Sequence, residues 1–201
     1  MRNRGCMSAG TIGIALLVIG AVLFFWGKSG YNTFVTKEQN VNEKWSNVQT
    51  VYQKRANLIP NLERTVKSYA QFEKETLTQV VEARSKATSV NIDPTNMTEA
   101  DLAKFQAAQG QLSGALSRLM VVVEKYPDLK ADQQYINFQR EYIAIENSIR
   151  SETVYFNAAA KDYNNSIMTF PNNILANFTN FKEKPYFKAD EAAQTAPDVF
   201  K

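Results

Sequence analysis

Apolar residues recur along most of the chain at every third or fourth position, which is the spacing of one buried helical face. Three stretches carry this pattern, over residues 34–87, 99–126 and 132–170. Their large apolar positions are Val41, Trp45, Val48, Tyr52, Ile59, Leu62, Val66, Tyr69 and Val80; then Leu102, Phe105, Leu112, Leu116, Leu119, Val123 and Tyr126; and then Tyr135, Phe138, Tyr142, Ile145, Ile149, Phe156, Tyr163, Ile167 and Phe170. No stretch has the pattern of a strand, so the sequence predicts an all-α protein.

Start and stop signals separate these stretches. Residues 88–97, TSVNIDPTNM, have the composition of a loop. Thr98 then begins a capping box, in which the side chain of Asp101 reaches back to the start of the helix. Pro127 ends that helix, and the third stretch begins near Asp132. These signals predict that the three helical stretches are separate helices joined by short connections.

The third stretch closes at Pro171. The following residues 172–181, NNILANFTNF, predict one short helix. Residues 182–201 have the composition of a tail that either lies on the helical body or is disordered.

The N-terminus carries the clearest single signal. The 20 residues from Met7 to Trp26 contain no charge, and at about 1.5 Å per residue they span a hydrocarbon core of about 30 Å. A cleaved signal peptide would have a shorter apolar region ending in small residues. This run ends instead in bulky aromatic residues, as an interfacial belt does. We therefore expect an uncleaved anchor, with residues 7–27 in the lipid bilayer.

The charges around this anchor predict its orientation. Arg2, Arg4 and the amino terminus precede the apolar run, and Lys28 and Lys37 follow it. Because the more basic flank tends to stay in the cytoplasm, we expect a single-pass protein of the cell (inner) membrane, with its body on the extracytoplasmic side.

Pro60 lies inside the first helical stretch, where a proline removes one backbone hydrogen bond and clashes with the preceding turn. Two interpretations follow. In a kinked continuous helix, Tyr52, Ile59 and Val66 keep a seven-residue spacing across the proline. In a corner, Asn57 caps a new helix that holds Pro60 in its first turn, where no intrahelical N–H bond is required.

Helix length favours the corner. A continuous helix over residues 34–87 would be about 80 Å long, whereas a helix over residues 99–126 is about 40 Å long. The membrane-proximal half would then lack a partner within the chain, unless a dimer buried its apolar stripe. Cut near Asn57, the body has four comparable helices. We therefore expect a single N-terminal transmembrane helix followed by an antiparallel up-and-down four-helix bundle.

This fold divides the chain into four parts. Residues 1–6 form a short basic tail, and residues 7–27 form the transmembrane helix. Residues 31–170 form the helical bundle, and residues 171–201 hold a short helix and the C-terminal tail.

The charge balance excludes one class of partner. Two of the 23 basic residues, Arg2 and Arg4, precede the apolar run, whereas all 20 acidic residues follow it. The body is therefore nearly neutral. A nucleic-acid-binding protein needs a clustered basic face, so we expect no nucleic-acid partner.

Missing residue types exclude several chemistries. The chain has no histidine and a single cysteine, Cys6, which excludes histidine-based acid–base catalysis, internal disulfides and thiolate zinc sites. The sequence has neither a GxxxxGK[ST] motif nor a GxGxxG motif for nucleotides. We therefore assign no catalytic residue, no cofactor and no metal.

Some polar residues fall in or beside the apolar stripes. Arg55, Glu73, Gln109 and Glu152 occupy positions where the pattern expects an apolar side chain. The candidate residues of a polar seam beside the core are Arg55, Asn57, Asn61, Glu146, Asn147, Arg150, Asn157 and Asn164. Such a seam either fixes the register of the helices or contacts a ligand, and the first interpretation is the more common one.

Six motifs follow one another along the chain: QKRANLIPNLERTVKSYA, EKYPDLKAD, the Glu-Asn pair at 146–147, YFNAAAKDYNNSI, FPNNILA and PYF at 185–187. In this order they resemble the motifs of the LemA family. The resemblance covers about residues 26–188. One departure is Tyr155-Phe156-Asn157, where a tyrosine–asparagine pair of the family is split by one residue.

The resemblance implies a bacterial single-pass membrane protein with a helical-bundle domain and no established general activity. Some related proteins work in membrane organisation or organelle assembly. A link to two-component signalling has also been made, but the missing histidine argues against a histidine kinase.

Two function classes remain. We expect an anchored scaffold that binds a protein partner or associates with itself, because the chain has a long helical body and no catalytic constellation. The alternative is an envelope sensor that binds a ligand along the polar seam. An enzyme is the third possibility.

Overall fold

The computed structural model describes residues 9–69 and 72–188 of the chain. Its elements are α1 (Ala9–Lys67), α2 (Lys74–Ser89), α3 (Glu99–Val123), α4 (Pro127–Lys130), α5 (Gln133–Met168) and α6 (Asn172–Thr179). No strand occurs in these described residues, and the all-α prediction is confirmed.

Helix α1 begins with an apolar, uncovered segment. It has 59 residues and is therefore about 90 Å long. Residues 10–25 are exposed on every side, and the first fully buried side chain is that of Phe34. By length and composition, this segment is long and apolar enough to cross a membrane. The body of the protein is built on the remainder of the same helix.

The predicted corner near Asn57 is wrong, because α1 continues through Pro60 to Lys67. The length argument failed because it gave the membrane-proximal half of α1 no partner. Helix α5 supplies that partner: with 36 residues it is about 54 Å long. Trp45 of α1 contacts Phe156 of α5, with ring centroids 5.6 Å apart.

Cross-helix contacts give the directions of the long helices. Lys37 and Arg55 of α1 pair with Asp162 and Glu146 of α5, so these two helices are antiparallel. Helix α2 returns along the distal part of α1 and is antiparallel to α3. The regular four-helix bundle is not confirmed, since the helix expected from Asn57 to residue 87 is divided between the end of α1 and α2.

The core has two apolar halves. The distal half lies at the end far from the apolar segment, and the proximal half lies nearer to it. The distal half contains Ile59, Leu62, Val66, Phe72, Leu77, Val80, Ala83, Ala87, Leu112, Leu116, Leu119, Val123, Leu129, Tyr135, Phe138 and Tyr142. The proximal half contains Phe34, Val41, Trp45, Val48, Ile92, Met97, Leu102, Phe105, Phe156, Ala159, Ala160, Tyr163, Ile167, Ala176 and Phe187. Arg55 and Gln109, both buried, belong to neither half and lie between them in sequence on α1 and α3.

The start signals act as the sequence predicts. Thr98 and Asp101 form the capping box of α3, with both reciprocal hydrogen bonds present. Asp132 caps α5 by accepting from the backbone N–H groups of Gln134 and Tyr135. Helix α3 ends slightly before Pro127, which becomes the first residue of the short helix α4.

The C-terminal part also contains the expected short helix, α6. Residues 182–188 follow it without regular secondary structure, and we call them the C-terminal segment. This segment lies on the body, with Lys184 and Phe187 buried. Residues 189–201 and the basic tail 1–6 lie outside the described residues.

Candidate functional site

Arg55 is the centre of a polar cluster in the core. Only 2% of its surface is exposed. Its Nη1 donates to Ser113 Oγ at 2.6 Å and to Glu146 Oε1 at 2.9 Å. Its Nη2 donates to the side-chain Oε1 of Gln109 at 2.6 Å and to the Gln109 carbonyl at 3.2 Å. We call Arg55, Gln109, Ser113 and Glu146 the central polar cluster.

Gln109 extends this cluster to the remaining long helix. Its Nε2 donates to the carbonyl oxygen of Ala87, at the end of α2, over 3.2 Å. Arg55 lies on α1, Gln109 and Ser113 lie on α3, and Glu146 lies on α5. The central polar cluster therefore connects all four long helices at one level, between the two apolar halves of the core.

The guanidinium group of Arg55 is occupied by the protein itself. Both terminal nitrogens donate hydrogen bonds, and the group also lies 5.0 Å from the ring centroid of Tyr52. Of the three guanidinium nitrogens of Arg55, Nε is the one that has no hydrogen-bond acceptor among the described residues. These partners favour the interpretation that the central polar cluster fixes the register of the helices around it over the interpretation that it contacts a ligand.

Asn164, on α5, holds the C-terminal segment. Its Nδ2 donates to the Lys184 carbonyl at 2.9 Å, and its Oδ1 accepts from the Lys184 backbone N–H at 2.8 Å. Nδ2 also lies 2.9 Å from the hydroxyl of Tyr186. The side-chain amide of Asn164 thus forms hydrogen bonds with both the backbone N–H and the backbone carbonyl of Lys184, as a neighbouring strand would.

Asn157, two turns earlier on α5, repeats the arrangement. Its Nδ2 donates to the Phe187 carbonyl at 3.1 Å, and its Oδ1 accepts from the Phe187 N–H at 2.9 Å. The Phe187 ring then contacts those of Trp45, Phe105 and Phe156. The side-chain amides of Asn157 and Asn164 therefore bind the backbone of the C-terminal segment at Phe187 and Lys184. The Phe187 ring lies in the proximal half of the core.

Lys184 is the most buried cation of the C-terminal segment, with 5% of its surface exposed. Its Nζ donates to the carbonyls of Pro94 and Thr95 at 3.0 and 2.9 Å, and it forms an ion pair with Glu38 at 2.8 Å. An ammonium group has three donors, and all three are used. Lys184 thus joins the C-terminal segment to α1 and to the α2–α3 loop.

A surface groove of about 680 Å³ lies beside Lys184. Glu38, Lys182, Tyr186 and Lys188 are among its lining residues. Nearby, burial raises the pKa of the Tyr163 phenol, so this hydroxyl stays protonated and donates to the Lys182 carbonyl at 3.0 Å. The buried cation at the groove is already neutralised, which leaves little there to attract an anion.

The predicted polar seam does not form one continuous surface. Arg55 and Glu146 meet in the central polar cluster, and Asn157 and Asn164 hold the C-terminal segment. The remaining seam residues are exposed and join neither group; they are Asn57, Asn61, Asn147 and Arg150. Asn57 accepts from its helix neighbour Gln53, and Asn61 accepts from Arg64.

Sequence reasoning missed three contributors to these contacts. Ser113, Glu38 and Lys184 occupy ordinary polar positions, and no periodicity marks them. Gln109 was detectable because it interrupts an apolar stripe. Glu73, in contrast, is exposed, because it precedes α2 rather than lying inside a helix, and Glu152 is half-buried.

The motifs that build these contacts match a known family. The sequence pattern of the LemA family matches residues 44–200, which covers most of the body and the C-terminal segment. The chain belongs to the LemA family. The match begins beyond the apolar segment of α1, so it concerns the helical body.

Individual LemA relatives extend the comparison. Magnetosome protein MamQ 2 of Paramagnetospirillum magneticum is 30% identical over 190 residues, covering 85% of this chain and 70% of that protein. Magnetosome protein MamQ of Magnetospirillum gryphiswaldense is 28% identical with the same coverage. Protein LemA of Metamycoplasma hominis is 26% identical over 185 residues, covering 92% of this chain and 80% of that protein.

Proposed function

We propose that this LemA family protein is a membrane-anchored scaffold of the bacterial envelope, which binds a protein partner or a second copy of itself. The observation that carries the proposal is the continuity of α1. One unbroken helix runs from the apolar segment into the core of the body. A continuous helix holds the body at a fixed height above the bilayer, which is a useful property for an organising protein.

The internal contacts of the central polar cluster and of Lys184 favour a scaffold rather than a ligand sensor. Its charged members are bonded to one another, and Lys184 has three acceptors within the chain. A sensor that recognised a ligand through these groups would first have to break internal contacts, at a cost of about 1–3 kcal/mol for each buried polar group left unpaired. We therefore propose no catalytic activity and no ligand site in the seam.

The relatives are consistent with an organising role. Three of them are named magnetosome proteins, and a further relative carries the name of the LemA family itself. None of these names describes a reaction.

We further propose that residues 7–27 span the inner membrane once and that the body is extracytoplasmic, following Arg2 and Arg4. The protein should remain in the membrane pellet through alkaline carbonate washing. Recovery of a shortened chain beginning near residues 27–31 would show instead a cleaved signal peptide. Protease added to intact spheroplasts should digest the body, and its protection would place the body in the cytoplasm.

The scaffold proposal is tested by affinity purification of the full chain from gently solubilised membranes after chemical cross-linking. We expect a reproducible partner, or a cross-linked dimer of the chain. A matched control is the apolar segment of α1 fused to an unrelated body, which should recover neither. If repeated purifications gave no partner and no dimer, the scaffold proposal would be overturned.

A further inference from the structure

Three large apolar side chains are exposed around α6. Phe170 is 81% exposed, Ile174 is 60% exposed and Phe178 is 89% exposed. They recur at intervals of four residues, so Ile174 and Phe178 lie on one face of α6. We call these three residues the α6 face. Exposure of this kind in neighbouring side chains marks an interaction surface rather than a scattered surface residue.

The opposite side of α6 packs on α1 just beyond the apolar segment. A Cβ atom placed on Gly30 would lie 2.7 Å from Leu175 Cδ2, so this glycine allows the close approach of α6. Two residues after α6, the Phe181 ring contacts those of Tyr31 and Phe34 at 5.6 and 5.3 Å between centroids. Helix α6 is therefore held at the level of residues 30–34 of α1.

This level coincides with the surface of a bilayer that contains the apolar segment. From Trp26, the last residue of the uncharged run, to Gly30 the helix rises about 6 Å. The headgroup region extends about 5–7 Å beyond the hydrocarbon core on each side. Helix α6 would therefore lie within the interfacial layer, beside the point where α1 leaves the membrane.

The composition of this region suits the interfacial layer. The 19 residues from 163 to 181 contain no charged side chain. The polar residues of α6 itself are three asparagines and one threonine, which can hydrogen-bond to lipid carbonyls and water. Asp162 and Lys182 border this run, and Asp162 forms an ion pair with Lys37. Lys182 and Lys28 of α1 are both exposed and suit the phosphate groups of lipids. Phenylalanine and other large apolar side chains are typical of the buried face of a helix that lies in this layer.

We propose that α6 is a second membrane contact, whose α6 face inserts into the interfacial layer of the same bilayer that α1 spans. The inference rests on the proposed membrane anchoring by α1. It adds a second point of attachment, so that the body has a fixed tilt and rotation on the membrane surface as well as a fixed height.

A second copy of the chain fits this surface less well. An aromatic side chain buries at most about 250 Å², so two phenylalanines and the smaller isoleucine provide less than about 750 Å². A stable protein interface needs about 800 Å² from each partner. The bilayer has no such requirement, because α1 already supplies the main anchoring energy.

The test uses spin labels in the full chain, reconstituted in phosphatidylcholine nanodiscs. One label is placed at Phe178→Cys and a control label at Val121→Cys, both in a Cys6→Ser background. Val121 is also exposed, at 67%, but it lies at the far end of α3. Collision with oxygen, which concentrates in lipid, is compared with collision with a water-soluble nickel complex.

We expect the label at position 178 to shift toward oxygen collision and the label at position 121 to remain nickel-accessible. Equal nickel access at both positions would overturn the proposal. Dipolar broadening between labels at position 178 would overturn it in favour of a second copy. A carbonate wash of the same variants keeps the two proposals distinct, because loss of the protein from the membrane would instead overturn the anchoring by α1.

Since a label could itself favour lipid, Phe178→Ser and Ile174→Ser provide an independent measurement. Both side chains are exposed, so the thermal midpoint in detergent should remain unchanged. In nanodiscs, we expect the double variant to make the backbone amides of α6 exchange with deuterium faster than in the unsubstituted chain. Unchanged exchange in α6 would overturn the proposal.

Discussion

Arg84 of α2 donates from Nε to the carbonyl oxygen of Ala56 on α1, over 2.9 Å. Ala56 lies four residues before Pro60, so its carbonyl is the acceptor that Pro60, lacking an N–H, leaves without a helical donor. Ala56 is itself buried, with 2% exposed. The guanidinium of a neighbouring helix thus satisfies a buried group, and this contact helps α1 to continue through its proline.

This relationship predicts that Arg84 and Pro60 are energetically coupled. Arg84→Met should lower the free energy of unfolding by about 1–3 kcal/mol, because it leaves the Ala56 carbonyl buried and unpaired. In a Pro60→Ala background, the new amide N–H of residue 60 can bond to that carbonyl. Arg84→Met should therefore cost less there, which a double-mutant cycle by chemical denaturation in detergent measures. Equal costs in both backgrounds would contradict the coupling.

A second prediction concerns the continuity of α1 across Pro60. Spin labels at Ser46→Cys and Arg64→Cys, both at exposed positions, are separated by eighteen residues of one helix. In a Cys6→Ser chain they should be about 27 Å apart, as measured by pulsed dipolar spectroscopy. A separation of about 10 Å, the spacing of two packed helices, would restore the corner near Asn57.

The apolar periodicity predicted the helices well because burial of one face is a local property of the sequence. The periodicity could not predict whether the helix continues through Pro60. That outcome depends on Arg84, which is 28 residues from Ala56 in sequence, and on the 36-residue length of α5. Turn signals have a shorter range, and the capping box at Thr98 was accordingly predicted correctly.

The candidate seam shows the same limit at the level of single residues. A polar residue inside an apolar stripe, such as Arg55 or Gln109, reveals that it is buried but not which partners it has. Asn157 and Asn164 bordered the stripe, yet their partners belong to a segment with no periodicity. The contacts of Asn157 and Asn164 arise from tertiary packing, and the local sequence of the C-terminal segment does not indicate them.

The central polar cluster predicts unequal effects for two arginines of the predicted seam. Arg55→Met should lower the free energy of unfolding by about 3 kcal/mol, because it leaves Glu146 and Gln109 without a buried charged partner. Arg150→Met is the matched control. Arg150 is exposed on α5, so its substitution should change stability by less than about 0.5 kcal/mol. Chemical denaturation in detergent measures the free energy of unfolding of both variants. Equal losses would show that the central polar cluster does not stabilise the packing of the helices.

The amide pairs of the C-terminal segment predict a local change in hydrogen exchange. Asn164→Ala should speed exchange of the Lys184 amide, which donates to Asn164 Oδ1. The Phe187 amide should be affected less, because Asn157 still holds it. Deuterium exchange followed by mass spectrometry or NMR measures both positions.

The control for this experiment is Asn165→Ala, at the exposed neighbouring position. It should leave the exchange of the C-terminal segment unchanged. Amides in α2 serve as an internal reference, since faster exchange there as well would indicate general destabilisation. Unchanged exchange at Lys184 in the Asn164 variant would contradict the role of this side chain.

The capping box of α3 predicts a pH-dependent contribution to stability. Hydrogen bonds from the side chain and then the backbone N–H of Thr98 lower the pKa of the Asp101 carboxyl. A carboxyl with a lowered folded pKa stabilises the protein above its unfolded pKa of about 3.9, and this contribution is lost as pH falls through the folded value. Asp101→Asn should therefore lower Tm at about pH 7, and the difference in Tm from the unsubstituted chain should narrow toward about pH 3.

Glu141→Gln, at an exposed position on α5, is the control. A Tm difference for Asp101→Asn that stays constant as the solution is acidified would show that the charge of Asp101 does not contribute to the cap.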